Sequence, residues 1–324
     1  MSANATGETW HAALHRLQQA GEPHALATVV GAAGSTPREP GARLVITRTT
    51  VADTLGGGHF EQQIIDLARE RLTGEPIAAG VQLEAFPLGG RSGQCCGGFV
   101  HVLLEVFPGA EQRLALFGAG HVGQALVALL RPLPWRIDWF DTRDEAFASA
   151  EALPERIRPR RWRHDADSLA DTIAAVAPGS HVCVMTHDHA QDRDLIAALI
   201  ARDDLASLGL IGSDSKWASF RRRLRETGAS EPALARVRCP IGIAGAHGKR
   251  PQEIAISVAA ELFTLCRETP RAPRGDDAAL ADRRGVPPAR LRDAFVPLPP
   301  TSPAAASDTT DVDRCHHPRH RDLP

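Results

Sequence analysis

One short stretch restricts the fold of this chain more than any other. "LALFGAGHVGQALVALL" sets Gly118, Gly120 and Gly123 in a G-x-G-x-x-G pattern, directly after an apolar strand and at the start of a helix. Each glycine answers a physical need: a tight turn, close approach of backbone to a phosphate, and close packing of helix on strand. The start of the helix adds free N–H groups and the positive end of a dipole, which welcome an anion. Asp141 stands at the tip of the next predicted strand, "WRIDWFD", where an acid can accept hydrogen bonds from ribose hydroxyls or other polar edges. The pattern fixes the fold more firmly than the ligand, because the same glycines also serve packing alone. His121, between them, sets a polar ring beside the phosphate position, or is a solvated first-turn residue.

Beyond this turn, strands alternate with helices of about a dozen residues. "HVCVMTHD" leads to the helix "AQDRDLIAALIA", and "SLGLIGS" to the helix "SDSKWASFRRRLRETG". "RPQEIAISVAAELFTLC" closes the unit as an amphipathic helix. This rhythm predicts a Rossmann-like, doubly wound parallel sheet over residues 109–267. Ligands collect at the carboxyl edge of such sheets, so the loops "THDHAQD" and "IGSDSKW" offer His187, Asp188, His189, Ser213 and Lys216 as pocket candidates. His187 and Asp188 have the chemistry for proton transfer or metal ligation. Asp188, Asp192 and Ser213 are equally suited to cap helices.

Residues 1–108 follow another rhythm and predict a small N-terminal α/β domain. "TWHAALHRLQQAG" has helical spacing of apolar residues with Gly21 as a stop, and "HALATVVGA" reads as a buried strand. "RLVIT" and "VADTL" read as short paired strands, and Gly56, Gly57 and Gly58 precede the helix "HFEQQIIDLARERLTG". "GVQLEAFPL" and "FVHVLLEVF" are strands on either side of "GGRSGQCCGG". From residue 268 proline, alanine, serine, aspartate and arginine dominate, which predicts a disordered tail to residue 324. The tail's "CHHPRH" is an incidental weak chelator rather than a metal site.

At 324 residues the chain has length for two cores, and its 43% apolar and 23% charged content is that of a globular protein. A net charge of −2 provides no basic field for nucleic acid. No apolar run reaches the roughly 20 residues that cross a bilayer. "MSANATGETWHAALHRL" lacks a secretory pattern, and six cysteines in so long a chain make no disulfide framework, so a cytoplasmic protein with reduced thiols is expected. Adjacent Cys95 and Cys96 rarely bridge each other, and C-C is neither a thioredoxin-type nor a zinc-ribbon spacing. Alternation in an extended segment turns one of the two toward a pocket. Cys183 and Cys266 lie on apolar faces and read as packing residues.

Together "VVGAAGSTPREPGARLVI", "TLGGGHFEQQII", "GQCCGG", "ALFGAGHVGQAL", "MTHDHAQD", "GLIGSDSKW" and "IGIAGAHGKRPQEIAISVAAEL" resemble, in that order, the XdhC/CoxI family of xanthine dehydrogenase accessory proteins. The resemblance runs from about Leu26 to Leu265. It implies a non-catalytic maturation chaperone that binds the molybdenum cofactor, shelters it while a cysteine desulfurase or other sulfurtransferase replaces an oxo ligand by sulfido, and delivers it to the apo xanthine dehydrogenase molybdenum subunit. Such a role belongs to purine metabolism, and a homodimer remains open. Family members often carry cysteine in the motif matched by "GGGHF"; His59 there argues against a thiol role at that position, though not against ligand contact.

The cargo's phosphate would be met by Arg38, by Gly57 and Gly58, and by the glycine turn Gly118, Gly120 and Gly123. Its pterin edge suits Gln94, Glu61 or Asp141, and its soft metal tolerates a thiolate neighbour. The resemblance places that thiol at Cys96, with Cys95 the better packing residue. Whether Cys96 touches molybdenum, guards the sulfido ligand or packs is open at this level. Glu61 is equally suited to complement the first turn of its helix. The expected site lies between the two domains. Rival readings are an NAD(P)-dependent oxidoreductase resting on the glycine turn and Asp141, a cysteine–histidine enzyme using Cys96 with His59 or His187, and a scaffold.

Overall fold

The structure is a computed structural model and describes residues 4–5, 7–74, 77–88, 98–147, 153–246 and 248–268. Strand alternation builds the first lobe. A six-stranded sheet has the order β1-β4-β3-β2-β6-β5, from β1 (Asn4–Ala5), β2 (His24–Ala33), β3 (Arg43–Ile46), β4 (Thr50–Asp53), β5 (Gly80–Pro87) and β6 (Phe99–Phe107). Successive side chains point to opposite faces. Ala25, Ala27, Val29, Leu44, Ile46 and Val51 therefore join one core with α2 (Gly58–Thr73), which contributes Phe60, Ile64, Ile65, Ala68 and Leu72. Leu26, Val45 and Ala52 face the other way, against Ala13 and Leu17 of α1 (Trp10–Ala20). The two helices thus cover opposite faces of one sheet.

The second lobe is all parallel. Its strands are β7 (Gln112–Phe117), β8 (Trp135–Asp141), β9 (Ile157–Arg161), β10 (His181–Val184), β11 (Ser207–Leu210) and β12 (Val237–Arg238), in the order β12-β11-β10-β7-β8-β9. Counted from β7 this is the doubly wound order 3-2-1-4-5-6, so the direction of winding reverses between β7 and β10. Leu114 and Leu116 face α3 (His121–Leu130) and α8 (Pro251–Glu268). Ala115 and Phe117 face the core shared with α4 (Ala166–Ala174), α5 (His189–Leu199), α6 (Asp214–Glu226) and α7 (Glu231–Ala235). Near-continuous apolar runs such as "LALF" follow from burial on both faces.

The lobes meet at the amino edge of the parallel sheet. Ala110 N–H donates to the Gly21 carbonyl at 2.9 Å, and Arg156 N–H donates to Gln19 at 3.1 Å. The Arg156 guanidinium donates to the carbonyls of Gln18 and Gln19 at the end of α1, and to Arg131 and Leu133 between α3 and β8. Gly21, at a φ of 66°, leaves no room for a Cβ against Ala110. A cavity of about 680 Å³ opens beside this joint, lined in part by Gln18, His24, Phe107, Leu133 and Arg156.

Candidate functional site

The glycine turn sits between β7 and α3 at the carboxyl edge. Gly118 has a φ of 116°, and a Cβ there would strike the Met185 carbonyl on β10's exit. A Cβ on Gly123 would run into the Gly118 carbonyl. A Cβ on Gly120 meets nothing within 4 Å. The first and third glycines are therefore demanded by the protein's own packing, and the middle one borders open space. Gly120 stands at the N-cap of α3 and has no side chain to cap it, so the first-turn amides have no partner within the helix. His121 is exposed at this start.

Asp141 closes the turn from below. Its Oδ2 accepts from Ala119 N–H at 2.6 Å and from Arg143 Nη2 at 2.9 Å, and its Oδ1 accepts from Arg143 N–H at 2.9 Å and Nε at 3.0 Å. A carboxylate has about four acceptor sites. This one is only 4% exposed, and all four are used inside the protein. Burial would push its pKa up, but the bonds from Arg143 and Ala119 outweigh that and hold it below the ordinary value. Asp141 clasps the loop to Arg143 and offers no free oxygen for the ribose or pterin contact expected from sequence.

The first lobe has a second glycine corner. Gly56, Gly57 and Gly58 all have positive φ, at 110°, 74° and 72°, a run open only to glycine. Glu61 Oε2 accepts from Leu55 N–H at 2.7 Å, from Gly57 N–H at 3.1 Å and from the Thr54 hydroxyl. Glu61 thus shapes the loop, as its alternative reading had it. No side chain caps α2, and Gly58 and His59 are exposed at its start. A Cβ on Gly56 would lie 2.5 Å from Pro37, so the loop carrying exposed Arg38 packs directly on this corner. Leu88 N–H donates to the Gly98 carbonyl at 2.8 Å, and a Cβ on Gly98 would strike Ser35. Leu88 and Gly98, on either side of the cysteine segment, are therefore held together beside Ser35. Gln94, Cys95 and Cys96 themselves lie outside the described residues.

A third group stands beyond β10 and β11. Asp188 caps α5, accepting from Ala190 N–H at 2.7 Å, and Ser213 caps α6, accepting from Lys216 N–H at 3.2 Å. Both are helix caps. Asp192 is not. It is fully buried and accepts from Thr186 N–H at 3.0 Å, from the Thr186 hydroxyl at 2.7 Å and from Lys216 Nζ at 2.6 Å. Lys216 Nζ also donates to the Ile211 carbonyl at 2.9 Å. His187 is exposed, and no hydrogen bond or ion pair ties its ring to a described residue. No cluster of three or more metal-ligating side chains occurs among the described residues.

The groups lie at defined ends of the two sheets. Strand directions put Arg38, Gly56–Gly58 and the Leu88–Gly98 closure on the end of the first sheet turned away from the joint. The glycine turn, Asp188, Ser213 and Lys216 occupy the edge of the second sheet turned away from it. None of the predicted residues that lie among the described ones lines the 680 Å³ cavity at the joint. Each lobe carries its own glycine corner.

The comparisons with known proteins divide along the same line. Residues 17–82 match the model of the XdhC and CoxI family, and residues 114–262 match that of the XdhC Rossmann domain. The two segments together make up about two thirds of the chain and fall one on each lobe. The chain belongs to the XdhC and CoxI family. YqeB of Escherichia coli strain K12 is 32% identical over 257 residues, a match covering 79% of this chain and 46% of YqeB, so this family member spans about half the length of that relative. A solved structure described as a xanthine dehydrogenase from Bacillus halodurans is 19% identical with a TM-score of 0.44, covering 82% of this chain and 97% of that one. ChuY of E. coli strain CFT073 is 18% identical with a TM-score of 0.31, covering 50% of this chain and 91% of that one.

In this XdhC and CoxI family member, sequence reading passed over Arg143 and Arg156 and took Asp192 only as a helix cap. Arg143 holds Asp141, Arg156 holds the lobes together, and Asp192 anchors Lys216. Arg143 was findable, since a cation two residues after a strand-end acid can return to it. Arg156 was not, because its partners are carbonyls of residues more than a hundred positions earlier.

Proposed function

We propose that the chain is an accessory protein of a xanthine dehydrogenase or related molybdenum hydroxylase, holding the molybdenum cofactor as cargo during sulfuration and handing it to the apo-enzyme. The observation that carries this reading is the pairing of family and geometry: each family segment coincides with a lobe whose glycine loop leads into an uncapped helix start. Such starts bind anionic groups, and the cargo carries a phosphate. Arg38 and His59 stand exposed at one start and His121 at the other. Cys96 enters from the sequence, in a segment between Leu88 and Gly98, which meet beside Ser35 in the loop that leads to Arg38.

These residues bind and orient; none is assigned a proton-transfer step. A dehydrogenase reading keeps the glycine turn but loses the free acid, since Asp141 is spent on Ala119 and Arg143. Purification from cells that make the cofactor, followed by molybdenum and pterin assay, tests the proposal. Both should co-elute with the wild-type chain, and Cys96→Ala should lower retention severalfold with an unchanged melting temperature. A chain that retains NAD(P) and neither molybdenum nor pterin would overturn it.

A further inference from the structure

A groove runs between α5 and α6, with a volume of about 560 Å³. His189 and Arg193, one helical turn apart, come from α5; Ser219 and Arg223, again one turn apart, come from α6. Lys216 and Phe220 lie deeper between them. No carboxylate among the described residues lines the groove. Those nearby are committed: Asp192 to Lys216 at 2.6 Å, Asp194 to Arg193 at 2.9 Å and to His164 at 3.0 Å, and Asp188 to the cap of α5. Asp214 is exposed at the first turn of α6.

The positive side is not fully spent. Arg223 makes no ion pair or side-chain hydrogen bond among the described residues, and Lys216 Nζ uses two of its three N–H groups on Asp192 and Ile211. Arg193 keeps one edge of its guanidinium beyond Asp194. Guanidinium forks, an ammonium and serine hydroxyls are the donors that tetrahedral oxyanions take. The volume lies in the range of small-molecule sites.

We infer that the α5–α6 groove is a binding site for a phosphate ester carrying at least two phosphate groups, separate from the glycine turn. Lys216 and Arg223, two turns apart on α6, with Arg193 facing them from α5, suit a chain of phosphates better than a single one. A bounded groove favours a small molecule over an extended acidic peptide. The inference rests on these walls and not on the cofactor reading.

Calorimetric titration of the full chain with inorganic pyrophosphate and with a ribonucleoside diphosphate tests it, at fixed ionic strength. Both should bind, and Arg193→Gln with Arg223→Gln should weaken binding by at least about tenfold, as loss of charge-assisted hydrogen bonds does. Ser219→Ala, a milder change, guards against a fold defect and should weaken it less. Gly120→Val should leave it unaltered, which separates the groove from the glycine turn. Absence of binding, equal binding by sulfate, displacement by hexaglutamate at matched concentration, or loss of binding in Gly120→Val would each overturn the inference. Molybdenum and pterin retention reads the cofactor proposal independently, so either can fail alone.

Discussion

At the scale of single residues, Gly118, Gly120 and Gly123 look alike in sequence and differ in cause. Gly118→Ala forces a side chain into a left-handed backbone and against Met185, and should cost about 3 kcal/mol. Gly120→Ala should leave the melting temperature nearly unchanged, since its Cβ meets open space. Urea unfolding of the two variants checks the contrast. Asp141 provides a second test. Its folded pKa lies below the ordinary carboxylate value, so its contribution is present above about pH 3.9 and disappears as pH falls through the folded value. Asp141→Asn should lose about 2 kcal/mol at neutral pH and show a shallower acid-unfolding curve than wild type. The identity of Asp141 was legible from its place after the glycines; its employment was not, because nothing in the spacing announces that Arg143 returns to fill both oxygens.

At the scale of elements, the difference lies between helices whose starts are filled and those left open. Asp165, Asp188, Ser213 and Ser230 cap α4, α5, α6 and α7 with their side chains, whereas α2 and α3 begin at glycines without one. Strands with clean alternation or continuous apolar runs were readable, among them β2, β6, β7 and β10. β9, "IRPRR", was not: an edge strand carrying three arginines and a proline has no apolar period to detect. The buried bond from α6 to α5 through Lys216 and Asp192 was also hidden, since both residues could serve at helix starts. Asp192→Ala should destabilise by about 3–5 kcal/mol by stranding a buried ammonium, while Asp192→Asn with Lys216→Met should recover much of that loss. Denaturant midpoints of the single and double variants decide it.

At the scale of the whole molecule, two sheets of different construction are joined through a small contact at one edge. The first lobe's sheet ends with β6 at Phe107 and the parallel one begins with β7 at Gln112, where the rhythm of the sequence changes from hairpins to strand–helix alternation. The joint itself depends on backbone carbonyls that Arg156 gathers from both lobes, and carbonyls leave no trace in a sequence. Arg156→Ala should therefore split one calorimetric melting transition into two while changing far-UV circular dichroism little; a single unshifted transition would show the lobes coupled by other means. The placement of the glycine corners has a practical result. Two corners built on separate sheets can be altered one at a time, so a substitution that remakes one leaves the backbone hydrogen bonds of the other intact.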